Sequence, residues 1–69
     1  MLWVAIKRGS ITHYRRPSDT QGIYDLLEPI YGHDVAESIV IWCESAYYED
    51  EYEADDPNLR VWFVDDLEQ

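Results

Sequence analysis

The sequence predicts an α+β fold: a three-stranded, mainly antiparallel sheet with two helices packed on one face, in the order ββααβ. Three observations carry that expectation. Two short runs of strand formers flank Gly9-Ser10, two longer apolar patterns at helical spacing follow, and LRVWFV supplies a last apolar run. Helices that follow one hairpin and precede a single strand can bury their apolar stripes only against that sheet. With 69 residues, 46% hydrophobic and 14% aromatic, one compact domain over 1–69 is expected despite a net charge of −10.

Leu2 to Ile6 is an apolar run of strand length. Gly9-Ser10 suits a two-residue hairpin turn, with Ile11 to Arg16 returning. That turn sets Arg8 opposite Ile11, Ile6 opposite His13, Ala5 opposite Tyr14 and Trp3 opposite Arg16. Arg15 and Arg16 are expected to stack on aromatic rings or to neutralise the chain's own acids.

Pro17-Ser18 closes the strand, and Ser18 with Gln21 has capping-box spacing for a first helix. Ile23, Leu26, Leu27, Ile30 and Tyr31 repeat at helical spacing across Pro29, which predicts a kinked helix reaching Tyr31. Gly32 then permits a sharp turn. Asp34 and Glu37 again have capping-box spacing, and Val35, Ala36, Ile39, Val40, Cys43, Ala46 and Tyr47 form one apolar stripe. A helix from 34 to 48 would be about 22 Å long at about 1.5 Å per residue. Ile41, Trp42 and Tyr48 flank that stripe, to meet another element or to stand exposed. Asp55-Asp56-Pro57-Asn58 is a turn cluster. In the strand after it, Leu59, Val61 and Phe63 face one way and Arg60, Trp62 and Val64 the other. Asp65 to Gln69 are expected to fray.

Charge is distributed unevenly. Lys7, Arg8, Arg15 and Arg16 are four of the five basic residues, whereas positions 17–69 hold all fifteen acids and Arg60 alone, a formal charge of −14. Such a surface argues against direct nucleic-acid binding and against an anionic membrane. A single cysteine excludes an internal disulfide and a cysteine-built zinc site, and Cys43 on the apolar stripe reads as a buried thiol. LWVAI is too short for a signal-peptide core and its basic residues follow it, so a cytoplasmic setting is expected, that of a host cell if a phage encodes the chain. The oligomeric state is not legible in this pattern.

Catalytic chemistry has no recognisable carrier. Ser10 and Ser18 read as turn and cap residues, and neither His13 nor His33 sits in a nucleophile motif. Among fifteen acids some pair always meets a carboxylate-pair criterion, so that signal selects nothing. The chain is therefore expected not to be an enzyme. His33 and Glu37 at i and i+4 supply only two metal ligands, and DEYEADDPN lacks the glycine and the spaced bidentate Glu of a calcium loop, so no cofactor or metal is expected.

What remains is YYEDEYEADD. Glu44, Glu49, Asp50, Glu51, Glu53, Asp55 and Asp56 put seven acids in thirteen positions, with Tyr47, Tyr48 and Tyr52 interleaved. If partly helical, the run would have a charge density within a factor of a few of duplex DNA, about one charge per 1.7 Å. The acids would also sit at a helix C-terminus, the end where they are disfavoured. Such a broken local rule often marks a functional site; the alternative is a solvated, solubilising loop. The candidate partner-binding residues are the seven acids with Tyr48 and Tyr52. Crowded like charges should also raise carboxylate pKa values, so the fold should gain modest stability as pH falls from about 7 to about 5.

YYEDEYEADD in so short and acidic a chain resembles the small nucleic-acid-mimicking inhibitors of phages and mobile elements, with anti-CRISPR proteins the nearest class. The resemblance covers about ten residues plus size and charge. It implies a partner that is a basic nucleic-acid-binding protein, such as an RNA-guided nuclease whose PAM-reading or guide-loaded cleft is occupied. LEPIYGHDVAESIVIWCE is similar to small proteins of gut Firmicute mobile elements, which carry a YG followed by a W-C-E helix; that likeness implies a setting and no activity. The competing reading is a regulatory or structural interaction module that uses exposed Trp42, Tyr48 and Trp62.

Overall fold

The computed structural model describes residues 1–66. Strand β1 (Trp3–Arg8) and strand β2 (Ile11–Arg15) form the hairpin, α1 (Thr20–Tyr31) and α2 (His33–Ser45) follow, and β3 (Leu59–Val64) returns to the sheet. The strand order is β2-β1-β3 and both pairings are antiparallel, so the predicted α+β class and the ββααβ order hold.

The hairpin register follows from its two-residue turn. Gly9 sits at φ 62, a conformation glycine adopts without a Cβ penalty, and Arg8↔Ile11, Ile6↔His13 and Ala5↔Tyr14 pair as the turn dictates. The strand ends at Arg15, one residue early, because Arg16 leaves the ladder. Its guanidinium nevertheless lies 5.2 Å from the centroid of the Trp3 ring.

Pairing of β1 with β3 sets Val4 opposite Phe63 and Ile6 opposite Val61. Alternation along the strands then puts these four residues and Leu59 on one face. Ile23 and Leu27 of α1 and Ala36, Ile39 and Cys43 of α2 complete the same buried cluster, which places both helices on that face. Burial pushes the Cys43 thiol up to about 12, so it stays protonated as an inert core side chain.

Three local expectations are corrected. The first helix is capped by Asp19, not by Ser18 with Gln21: Asp19 Oδ1 accepts from the Gly22 N–H at 3.0 Å. A carboxylate suits the positive end of a helix better than a hydroxyl does. The cap also requires glycine, since a Cβ at position 22 would collide with the Asp19 carboxylate. Second, Asp34 and Glu37 form no capping box. Gly32, at φ 89, ends α1 and begins α2 in one residue, and Asp34 falls in the first turn, where its charge suits the helix dipole.

Third, α2 stops at Ser45, not at 48. Ala46 is extended, with ψ 153. A tight turn then competes with further helix: Asp50 N–H donates to the Tyr47 carbonyl at 3.0 Å, and Tyr47 N–H donates to Asp50 Oδ2 at 3.1 Å. Tyr47 therefore leaves the apolar stripe and is 74% exposed. Pro29, by contrast, lies within α1, which still reaches Tyr31. The expected fraying of Asp65 to Gln69 falls in part on residues 67–69, outside the described residues.

Candidate functional site: an acidic edge strand

Past Ala46 the chain returns along the outer side of β3. Tyr52 N–H donates to the Val61 carbonyl at 2.9 Å, and Glu51 pairs with Trp62 in an isolated antiparallel bridge. The acidic run is thus tied to the sheet edge by one isolated bridge at Glu51, between the turn at Tyr47–Asp50 and the bends and turn of 55–58. It is not the C-terminal turn of a helix, so the argument from misplaced acids at a helix end does not apply to residues 49–56. Extension also dilutes the charge. Over the extended stretch 51–54, at about 3.3 Å per residue, Glu51 and Glu53 stand roughly 7 Å apart, against about one charge per 1.7 Å in duplex DNA.

Alternation divides the run between two tasks. Tyr52 turns inward: its ring meets Trp42 edge-on at 5.8 Å and its hydroxyl lies 3.0 Å from Ser38 Oγ. Trp42 in turn stacks on Phe63 at 4.9 Å, with 15° between the planes. Tyr52 is therefore a half-buried anchor, and of the two rings expected to meet a partner Tyr48 is the exposed one, at 51%. Glu51 points the other way and takes a two-point bond from Arg60, Nε to Oε2 at 2.9 Å and Nη2 to Oε1 at 3.0 Å. The Arg60 guanidinium also covers Trp62 at 5.1 Å.

The Arg60 clamp was not foreseen, although one signal for it existed. Arg60 is the only basic residue after position 16, so any acid placed across from β3 would find it. The bond and the positive charge of Arg60 hold the Glu51 carboxyl below its ordinary range. That direction is opposite to the expected raising by crowded acids. A depressed folded pKa means the unfolded chain binds more protons as pH falls, so the stabilisation is present above the unfolded value and is lost through the folded one. The melting-temperature difference between the protein and Glu51→Gln should accordingly be fully present above the ordinary carboxylate range and shrink as pH falls through and below it. A difference that grows on acidification would refute the clamp.

The other six acids differ from Glu51. Among the described residues no cation lies within ion-pairing distance of Glu44, Glu49, Asp50, Glu53, Asp55 or Asp56. Asp56 Oδ1 accepts from the Asn58 N–H at 2.8 Å and so shapes the turn into β3. Glu49, Asp50, Glu51 and Glu53 border an open concavity of about 740 Å³ with Ser38, Trp42 and Tyr52 along its floor. An acid-rimmed groove on an aromatic base can receive cationic side chains of a partner.

Other candidate chemistry is engaged locally. His33 Nδ1 meets the Tyr24 hydroxyl, and His33 Nε2 stands 3.6 Å from Glu37 Oε2. Among the described residues no group of three or more His, Cys, Asp and Glu is placed to hold a metal ion, and no helix is long and apolar enough to cross a membrane. Of the three aromatics that an interaction module would use, Trp42 packs on Phe63 and Trp62 lies under Arg60, which leaves Tyr48 exposed. Compared with known proteins, the chain matches no family model, no curated protein and no solved structure.

Proposed function

We propose that the protein is a binding inhibitor that carries no catalysis of its own. Its acidic edge strand occupies a basic nucleic-acid-binding cleft of a partner protein, in the manner of a nucleic-acid mimic. The observation that carries this reading is the six acids between Glu44 and Asp56 that meet no cation among the described residues, Glu44 at the end of α2 and the other five on the segment bridged to the outer edge of β3 at Glu51. A basic surface would supply the counter-charge that these carboxylates do not find within the described residues. Glu51 and Tyr52 fix the segment to the sheet, while Glu49, Asp50, Glu53, Asp55 and Asp56, with Glu44 from the last turn of α2, face the partner with Tyr48 beside them. An RNA-guided nuclease has a cleft of the required chemistry.

Affinity capture from a host lysate tests this reading. The immobilised protein should retain a nucleic-acid-binding protein at about 50 mM salt, and duplex DNA should displace it. Rim charges are screened over about 10 Å at 0.1 M and about 3 Å at 1 M, so retention should fall by tenfold or more toward about 0.5 M salt. Retention that is indifferent to both salt and DNA would instead favour an interface built around Tyr48.

A further inference from the structure

We propose that the open edge of β2 is a docking strand for an extended, acidic polypeptide segment. This surface lies at the opposite edge of the sheet from the acidic run, so it stands or falls separately from the mimic reading. Lys7, Arg8, Arg15 and Arg16 all lie on or beside the β1–β2 hairpin. The chain holds fifteen acids, yet among the described residues no carboxylate lies within 4.0 Å of any of the four. Arg8 Nε and Arg16 Nε are moreover buried without a hydrogen-bond partner.

Backbone geometry supplies the other half of the site. The two-residue turn makes Arg8 and Ile11 a hydrogen-bonded pair, so alternation aims the N–H and C=O groups of Thr12 and Tyr14 away from β1. One of these four groups is used: the Tyr14 carbonyl accepts from Arg15 Nη1 at 2.9 Å. Among the described residues both Thr12 groups and the Tyr14 N–H are left for an added strand, flanked by Ile11, which is 60% exposed. Strand addition at such an edge takes its affinity from main-chain bonds and its selectivity from side chains.

Charge chooses the occupant. Arg15 and Arg16 at the β2 edge, with Lys7 and Arg8 on the adjoining β1, where Arg8 Nη2 lies 2.9 Å from His13 Nε2, repel a second copy of the same strand and admit an acidic one. Single-stranded nucleic acid is less well served, because it needs free ring faces on which to stack its bases. On the helix-free face of the sheet, Arg16 already covers Trp3 and Arg60 already covers Trp62.

Amide chemical shifts of the whole protein, titrated with an acetylated heptapeptide that alternates Glu and Val, test the assignment. Shifts centred on Thr12 and Tyr14 are expected, with affinity falling about tenfold or more between about 50 mM and about 0.5 M salt. Arg15→Glu with Arg16→Glu should abolish them. Should that pair disturb the fold, Thr12→Pro removes one outward N–H and leaves the β1 ladder untouched; it should weaken binding while the spectrum stays dispersed. An unmoved Thr12 and Tyr14 at millimolar peptide, equal binding of a Lys–Val heptapeptide, tighter binding of oligothymidylate, or self-association through β2 would each overturn the proposal.

Discussion

Ile39→Ala is expected to lower the unfolding free energy by about 2–5 kcal/mol, and Phe63→Ala by about 3–5 kcal/mol. Ile39 is wholly buried between the helices and the sheet, and Phe63 is 7% exposed beneath the Trp42 ring. At roughly 0.05–0.15 kcal/mol per residue, a chain of 69 residues has only about 3–10 kcal/mol in all. Either truncation therefore removes a large share of the stability, and the less stable end of that range gives an unfolded protein at 25 °C. Ile41→Ala is the control. Ile41 lies on the same helix but is 56% exposed, and its removal should change stability by about 0.5 kcal/mol or less. Denaturant midpoints for the three variants decide the matter. If Ile39→Ala and Ile41→Ala melt alike, the core face of α2 has been misassigned. The Phe63 variant has a second readout, because Trp42 loses its stacking partner and its fluorescence should shift toward that of a solvated indole.

The parts of this fold that could be read from the sequence are those set by periodicity and by a single dominant turn. Leu59, Val61 and Phe63 alternate cleanly, and β3 buries those three. A two-residue turn at Gly9-Ser10 leaves one register, and the pairs from Arg8↔Ile11 inward obey it. The helix ends were harder, because several residues compete to cap them. Ser18 and Asp19 both offer an oxygen, and the winner is the one whose third neighbour, Gly22, leaves room for it. At the far end of α2, apolar spacing through Ala46 and Tyr47 argued for more helix, but the reciprocal bonds between Tyr47 and Asp50 closed a turn instead. The acidic run was legible as composition and not as conformation. Whether EDEYEADD coils, extends or wanders depends on Tyr52 finding the Val61 carbonyl and on Glu51 finding Arg60. Both contacts reach across the chain, and no local pattern encodes them.

Reversing charge on the acidic edge should have the largest functional effect, and the structure dictates which acids to reverse. Glu51 is tied to Arg60 and Asp50 closes the turn at Tyr47, so changing either mixes binding with folding. Glu49, Glu53 and Asp55 are exposed and take part in no ion pair among the described residues. Converting these three to Lys should weaken the captured partner's binding by about 10²-fold or more, since desolvated charge pairs are worth several kcal/mol and each reversal turns attraction into repulsion. The comparison triple is Asp25, Glu28 and Glu37, exposed on the two helices. Asp19 is left alone because it caps α1. Both triples change the net charge equally, so any effect of bulk acidity is common to them. A site requires the edge triple to abolish binding while the helix triple reduces it by less than about tenfold, with both variants keeping the parent's melting temperature to within a few degrees. Equal loss from the two would leave only diffuse acidity. Full binding by the edge triple would end the mimic reading, because no basic cleft should accept three lysines, a net change of six charge units, on its contact surface.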